Sequence, residues 1–236
     1  MEAESIDASL PAALVEVLES ASRLQQLVPG AVLVGGSAAA MYAAHRESYD
    51  HDHVLQDLRG RFDIVLEALE QDPGFHTASL REDKIILGNL GGIETGIRQL
   101  IRQRPLEVQR MVLPSGNSVI VPTRDETLRV KGFLIVRRNM VRDFLDVAAL
   151  SERLSIPHAA AVLSDIDEFY TDDREQLDHR PVLTQLIRQL SNPEPRDSKV
   201  TRRLQDYKGL NHRWGSWETV REQCGDLALA VLEHQR

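Results

Sequence analysis

The sequence predicts an α+β fold, in which a small mixed β-sheet flanked by helices is followed by a helical domain. Up to about residue 122, short apolar runs of strand length alternate with helical patterns and with turns rich in glycine and asparagine. From residue 123 onward the apolar residues recur at helical spacing. We therefore predict two domains, residues 1–122 and residues 123–236.

Each predicted element follows from its apolar spacing and from the turn residues that bound it. The first helix carries apolar residues at helical spacing and ends at Pro29-Gly30. The apolar runs predict strands at residues 31–34, 51–55, 84–87, 93–101, 106–112 and 119–121. The remaining helical patterns cover residues 38–46, 58–69, 123–135, 141–150, 157–163 and 183–190.

The charge of the chain is unevenly distributed. The formal net charge is −8, which argues against a general nucleic-acid coat protein. Residues 98–142 nevertheless carry a local excess of about +7, so the rest of the chain carries about −15. A basic middle in an acidic protein indicates either an anionic ligand held locally or a solvated basic face.

The sequence predicts a cytoplasmic protein that does not act at a membrane. The single cysteine, Cys224, excludes an intramolecular disulfide and fits a reducing compartment. The first twenty residues, MEAESIDASLPAALVEVLES, are acidic where a signal peptide is basic. No segment approaches the roughly 20 apolar residues of a membrane span.

The stretch VLVGGSAAAMYAAHRESYDHDHV contains the candidate chemistry. A predicted buried strand leads into Gly35, Gly36 and Ser37, a short helix follows, and a second strand begins with Asp50 and Asp52. Glycines allow the backbone to approach a polyphosphate closely, and a helix N-terminus offers free N–H groups. We therefore predict that Gly35, Gly36 and Ser37 bind a nucleotide.

Strand alternation divides the DHDH run into two faces. Successive side chains of a strand point to opposite sides, so Asp50 and Asp52 share one face while His51 and His53 share the other. Adjacent carboxylates repel unless a cation lies between them, and hard oxygen ligands select Mg²⁺, which also bridges phosphate oxygens. We predict that Asp50 and Asp52 bind Mg²⁺, for which Mn²⁺ could substitute, and that the histidines pack or hydrogen-bond beneath the sheet.

The order of strand, Gly-Gly-Ser, helix, strand and Asp-x-Asp resembles the nucleotidyltransferase superfamily, and most closely its AbiEii-type toxin branch. The resemblance covers roughly residues 30–152. It implies Mg²⁺-dependent transfer of a nucleoside monophosphate from a nucleoside triphosphate to a hydroxyl group of tRNA or protein. It also implies the toxin of a toxin–antitoxin pair, with an antitoxin protein as partner.

The same resemblance extends to the segment VPTRDETLRVKGFLIVRRNMVRDFLDVAAL. Lys131 lies at the position of the family's lysine, which implies a contact with nucleotide phosphates, and Asp143 would orient that lysine or act near the nucleophile. The alternative is that Lys131 is a surface residue and that Asp143 and Asp146 form helical ion pairs with Arg142 or Arg138.

The third carboxylate of the family is not found as an aspartate on a later strand. Glu94 and Glu107, both on predicted strands, are the candidates, and we favour Glu94 as the third catalytic carboxylate beside Asp50 and Asp52. The absence of a third carboxylate would instead favour a catalytically degenerate module that binds a nucleotide or a protein. A third hypothesis is a hydrolase with a His/Asp metal centre.

Overall fold

The computed structural model describes residues 3–6, 10–102, 104–171 and 181–235, and divides the chain into two compact units. The sheet unit consists of Met1–Met41, Glu47–Ile101 and Pro105–Thr123. The helical unit consists of Tyr42–Arg46, Arg102–Arg104 and Arg124–Arg236. Two short segments from the first half of the sequence, Tyr42–Arg46 and Arg102–Arg104, therefore group with the helical unit. The domain boundary predicted from the sequence, between residues 122 and 123, assigns both segments to the first domain.

The sheet unit contains eight strands among its described residues. The strands are β1 (Ala3–Ser5), β2 (Val32–Val34), β3 (Asp50–Leu55), β4 (Phe75–Arg81), β5 (Ile85–Leu90), β6 (Ile93–Gln99), β7 (Val108–Val112) and β8 (Ser118–Pro122). The helices are α1 (Ala12–Leu27), α2 (Gly35–Ala43), whose last residues group with the helical unit, and α3 (Leu58–Glu70).

The strands form two mixed sheets. The larger has the order β2-β3-β6-β5-β4, in which β3 and β6 are parallel and the other neighbours are antiparallel. The smaller has the order β1-β7-β8, with β1 parallel to β7. This architecture confirms the predicted α+β fold class with a mixed sheet and flanking helices.

A hydrophobic core lies between one face of the larger sheet and the helices α1 and α3. Its buried members come from those helices, the adjoining loops and the strands β3 to β6: Leu24, Val28, Ala31, Leu55, Leu58, Phe62, Val65, Leu69, Phe75, Ile86, Leu90 and Ile97. Their burial is the main source of stability for this unit, because apolar area removed from water stabilises by about 25 cal/mol per Å².

The helical unit is built from five α-helices among its described residues. These are α4 (Arg124–Arg138), α5 (Val141–Leu154), α6 (Ile156–Ser164), α7 (Val182–Ser191) and α8 (Trp217–His234). Helix α8 packs against α5, α6 and α7. Trp214 is buried and Trp217 meets the ring of Phe144 edge to face, so both tryptophans anchor the packing of this unit.

The sequence patterns did not predict strands β1 and β4 or the last helix, α8. Strand β4 is an edge strand whose residues after Phe75 are exposed, so it lacks the apolar alternation by which strands are found. Strand β1 has only three residues.

Within the part of the chain that the structure describes, no helix combines the length and apolar character needed to cross a membrane.

Gly88 on β5 lies where a side chain has no room. A Cβ atom there would approach Cζ of Phe75 to 2.5 Å and the carbonyl oxygen of His76 to 2.7 Å. We expect Gly88→Ala to lower the free energy of unfolding by about 1–3 kcal/mol, since overpacking a filled site forces backbone shifts. Urea unfolding followed by far-UV circular dichroism measures this loss.

The matched control is Gly60→Ala on α3, where a Cβ would meet no heavy atom within 4 Å. This variant should be as stable as the wild type or slightly more stable, because alanine favours helix. Equal stability of the two variants would contradict the packing at Gly88.

Candidate active site

Strand β3 separates its acidic side chains from its histidines. His51, His53 and Leu55 are buried, whereas Asp50 is exposed and the side chain of Asp52 retains 35% of its exposure. This alternation of burial agrees with the division into two faces that the sequence predicts. We call the surface of the sheet that carries Asp50, Asp52 and Glu94 the acid face.

Glu94 joins the acid face through the pairing of β3 with β6. In the parallel register, Asp50 is the partner of Glu94 and Asp52 is the partner of Gly96. Paired residues of adjacent strands point to the same side of a sheet, so Glu94 lies beside Asp50. Glu107 precedes β7, which belongs to the smaller sheet. The register thus favours Glu94 over Glu107, while its catalytic role stays a prediction.

Two glycines enclose the carboxylate of Asp52. A Cβ atom on Gly35 would lie 3.3 Å from Oδ2 of Asp52, and one on Gly96 would lie 3.2 Å from Oδ1. Gly35 also has φ = +79°, a conformation that side-chain-bearing residues rarely adopt. Gly35 is therefore required by the turn and by the close approach of Asp52.

Serine hydroxyls fix the position of Asp50. Ser37, on the first turn of α2, is buried and donates its hydroxyl hydrogen bond to the carbonyl oxygen of Asp50. Ser48 donates to Oδ1 of Asp50 over 2.9 Å. The predicted contacts of Gly35, Gly36 and Ser37 with a nucleotide stay predictions, and the structure adds that the Ser37 hydroxyl already has a backbone acceptor.

Beneath the acid face, His51 connects α1, β3 and β6. Its Nε2 lies 2.9 Å from the Ser20 hydroxyl and its Nδ1 lies 2.9 Å from the Thr95 hydroxyl. Burial lowers the pKa of His51 to about 4, although the charge of Asp50 opposes this shift. Burial also lowers the pKa of His53 to well below its ordinary value. Both imidazoles are therefore neutral packing groups at physiological pH.

The donor chemistry of the acid face fits a hard divalent cation. Asp50 and Asp52 offer carboxylate oxygens, Glu94 lies in register beside them, and the histidines lie on the opposite, buried face. The strand therefore separates the two ligand types that a His/Asp metal centre would need. Among the described residues, no three acidic, histidine or cysteine side chains are gathered closely enough to hold a metal ion.

A second group of charges lies inside the helical unit. The ammonium of Lys131 is 2.6 Å from Oδ2 of Asp146, and Oδ1 of Asp146 also meets Nε2 of His45 at 2.7 Å and Nε of Arg46 at 3.0 Å. The side chains of Lys131, Asp146 and His45 are 2%, 0% and 0% exposed. We call these four residues the buried ion cluster.

The buried ion cluster keeps Asp146 ionised. Burial opposes its negative charge, but Arg46, Lys131 and the hydrogen bond from His45 together hold the pKa of Asp146 well below its usual range. Burial lowers the pKa of His45 despite its hydrogen bond to Asp146, so this imidazole is neutral. One buried carboxylate thus pairs with two basic side chains, Lys131 and Arg46, inside the helical unit.

The structure assigns neighbours to the other charged residues of this segment. The alternative that Lys131 is a surface residue is wrong, since it is 2% exposed. Asp143 pairs with Arg138, whose guanidinium reaches both carboxylate oxygens at 2.7 and 3.1 Å. The roles of Lys131 and Asp143 in nucleotide binding stay predictions, and Asp146 is the residue that contacts Lys131.

Sequence reasoning missed two basic residues of the buried ion cluster. His45 and Arg46 lie about 100 positions from Asp146, so no local spacing connects them. The place of Arg98 on the face of Glu94 does follow from the sequence, because residues 94, 96 and 98 of a strand share a face, whereas its contact with Asp52 comes from the structure.

The chain is similar in sequence to part of the mycobacterial MmpL11 proteins. It is 29% identical over 245 aligned residues to the heme uptake protein MmpL11 of Mycobacterium tuberculosis, and the match covers 93% of this chain. It is 30% identical over 184 residues to the mycolic acid-containing lipids exporter MmpL11 of Mycolicibacterium smegmatis, a match that covers 78% of this chain. The chain spans about a quarter or less of those relatives, 23% and 16% of their lengths. No protein-family model matches.

Solved structures place the fold among nucleotidyltransferases. The nucleotidyltransferase toxin MenT4 of M. tuberculosis superposes with a TM-score of 0.55 at 17% identity, over 94% of this chain and 85% of that protein. JHP933 of Helicobacter pylori superposes with a TM-score of 0.50 at 16% identity, over 96% and 95% of the two chains. The chain therefore has a nucleotidyltransferase-like fold.

Substitution of Lys131 distinguishes a structural lysine from one held ready for a ligand. We expect Lys131→Met to lower the free energy of unfolding by about 3 kcal/mol, because it removes one partner of a buried ion pair. Urea unfolding followed by tryptophan fluorescence measures this loss in the helical unit, which contains both Trp214 and Trp217.

The matched control is Lys199→Met, the same substitution at an exposed lysine, which should change stability by less than about 0.5 kcal/mol. A loss below about 1 kcal/mol for Lys131→Met would show that Lys131 is not a buried counter-ion.

The lowered pKa of His45 predicts a pH dependence of stability. The unfolded chain binds a proton at His45 below about pH 6.5, whereas burial lowers the pKa of His45 in the folded chain, which binds that proton only at lower pH. The stability contribution is therefore complete above the unfolded pKa and is lost as the pH falls. We expect His45→Gln to flatten this decrease, measured by urea unfolding with tryptophan fluorescence at a series of pH values. An unchanged slope would contradict the assignment.

Proposed function

We propose that the chain is a nucleotidyltransferase that transfers a nucleoside monophosphate from a nucleoside triphosphate to a hydroxyl acceptor. The observation that carries the proposal is the acid face, where Asp50 and Asp52 share one side of β3 and the strand register sets Glu94 beside them. The nucleotidyltransferase-like fold supports it. In the reaction, a bond forms between the acceptor oxygen and the α-phosphorus while the bond from the α-phosphorus to the α–β bridging oxygen breaks. Pyrophosphate leaves, and the proton of the acceptor hydroxyl passes to solvent.

The residues of the acid face would prepare this reaction by position and charge. Asp50 and Asp52 would hold Mg²⁺ or Mn²⁺, with Glu94 as the third carboxylate. When bound, the metal ion supplies charge neutralisation at the transferred phosphoryl group. Ser37 and Ser48 hold the backbone and carboxylate of Asp50 in place. Gly35 and Gly96 have no side chains that would crowd the Asp52 carboxylate.

The acceptor and the biological role are proposed on a narrower basis. The motif resemblance to the AbiEii-type toxin branch and the fold likeness to the toxin MenT4 support a toxin that modifies tRNA or a protein hydroxyl in the cytoplasm, with an antitoxin as partner. Lys131 and Asp143 are retained as proposed nucleotide contacts. Their pairing with Asp146 and Arg138 means that such contacts would require these side chains to rearrange.

A second candidate function is a binding module of the same fold without catalysis. Two observations favour it: Arg98 pairs with Asp52, and the described residues gather no three-membered metal cluster. The similarity to a segment of MmpL11 proteins, which are named for transport, fits a domain that serves within a larger protein. Its ligand would be a nucleotide or a partner protein.

Label transfer separates the two functions. Purified protein is incubated with each α-labelled nucleoside triphosphate, Mg²⁺ and total tRNA or cell protein, and labelled acceptor is counted. We expect transfer by the wild type and a loss of at least about 100-fold in Asp52→Asn, because removing a charged group at the reacting phosphate costs that order of rate.

The matched control is Asp57→Asn, the same substitution at an exposed aspartate that pairs with Arg61 after β3. This control should retain transfer. Nucleotide binding without transfer to any acceptor would favour the binding module, and equal transfer by Asp52→Asn and the wild type would refute the proposed catalytic site.

A further inference from the structure

Arg98 carries the positive charge that meets the acid face from within the sheet. One of its guanidinium nitrogens lies 3.5 Å from Oδ1 of Asp52, and the two side chains are 43% and 35% exposed. A pair this exposed and this long is weak, since solvent screens it. It is therefore an ion pair that can open without disturbing the fold.

The strand register explains how Arg98 reaches Asp52. Arg98 is the partner of Val54, two pairs farther along the strands than Asp52 and Gly96 and on the same face. Gly96 lies between them on this face and has no side chain, so Asp52 and Leu87 lie close over it: a Cβ atom there would be 3.2 Å from Oδ1 of Asp52 and 2.8 Å from Cδ2 of Leu87. No side chain of residue 96 therefore separates the long arginine side chain from Asp52.

The described strands β2, β3, β5 and β6 carry no second cation on the acid face. On the same side of the sheet, β2 contributes valines and β5 contributes Ile85, Leu87 and Asn89, as their pairing with β3 and β6 requires. Asp50 and Glu94 add two further carboxylates, and Asp50 accepts from Ser48. Three acids thus share one arginine among the described residues of these four strands.

We propose that Arg98 is a built-in counter-ion of the carboxylate site, which holds Asp52 in the absence of a divalent cation and moves to the triphosphate when metal and nucleotide bind. This proposal rests on the proposed function and names a residue for the substrate's phosphates. The guanidinium fork fits carboxylate and phosphate oxygens equally well, so the same group can serve both states. A cation on Asp52 would repel the guanidinium, and the accompanying phosphates would attract it.

The proposal predicts opposite effects of one substitution on two ligands. Arg98→Gln should bind Mn²⁺ alone about two- to fivefold more tightly than the wild type, because Mn²⁺ no longer competes with an exposed ion pair. The same variant should bind inorganic tripolyphosphate in the presence of saturating Mn²⁺ more weakly. A merely structural role would not move the two affinities in opposite directions. Isothermal titration calorimetry measures both, and tripolyphosphate avoids any dependence on the base.

Arg81→Gln is the matched control. Arg81 is exposed and lies in the same row of the sheet as Arg98, two strands away, since both are partners of Ile85. The substitution Arg81→Gln removes the same charge as Arg98→Gln, but about 10 Å away from Arg98 across the sheet, the width of two strand spacings. Arg81→Gln should leave both affinities near the wild-type values, and Arg98→Lys should fall between the wild type and Arg98→Gln.

The possible outcomes separate this inference from the proposed function. Unchanged Mn²⁺ affinity in Arg98→Gln, with binding that Asp52→Asn abolishes, would refute the counter-ion while retaining the metal site. Mn²⁺ binding that Asp52→Asn leaves intact would refute the carboxylate site and the proposal with it. Equal shifts in Arg98→Gln and Arg81→Gln would reduce the effect to general electrostatics and refute the direct contact.

Discussion

The parallel pairing of β3 with β6 sets the position of every carboxylate on the acid face. Its register fixes Asp50 beside Glu94 and Asp52 beside Gly96, and the same register joins His51 to Thr95 on the buried side. The hydrogen bonds between the His51 ring and the hydroxyls of Ser20 and Thr95 hold α1, β3 and β6 together beneath the site. Since a slip of one residue would exchange the two faces, the polar network below and the acids above depend on one alignment.

The two charged sites of the chain differ in their exposure to solvent. On the acid face, carboxylates are exposed and one of them faces an arginine in a weak, solvated pair. In the buried ion cluster, Asp146 accepts from three basic side chains in the interior, where an unpaired charge would be costly. Exposed charges can exchange partners for a ligand, whereas buried ones hold α4, α5 and the segment Tyr42–Arg46 in place. For this reason Arg98 is better suited than Lys131 to meet an incoming phosphate.

The chain resembles one group of proteins in fold and another in sequence. The fold likeness to MenT4 and JHP933, at 16–17% identity, concerns architecture. The similarity to MmpL11 proteins, at 29–30% identity, concerns a segment within much longer chains. The proposed transferase is argued from the acid face of this chain, and the proposed binding module from the ion pair that covers part of it. Both proposals use the same carboxylates, so the chemistry of Asp52 separates them.

The sequence by itself determined the α+β class, most strands and helices, and the division of the DHDH run into an acidic and a histidine face, because these follow from local periodicity and strand alternation. It also identified Glu94 as a candidate from its place on a nearby strand. Only the tertiary structure decided that Glu94 lies in register with Asp50, that β4 forms an exposed edge, and that Lys131 is buried against Asp146. The register of Glu94 and the burial of Lys131 depend on contacts between residues 44 and 15 positions apart, and such contacts leave no local pattern in the chain.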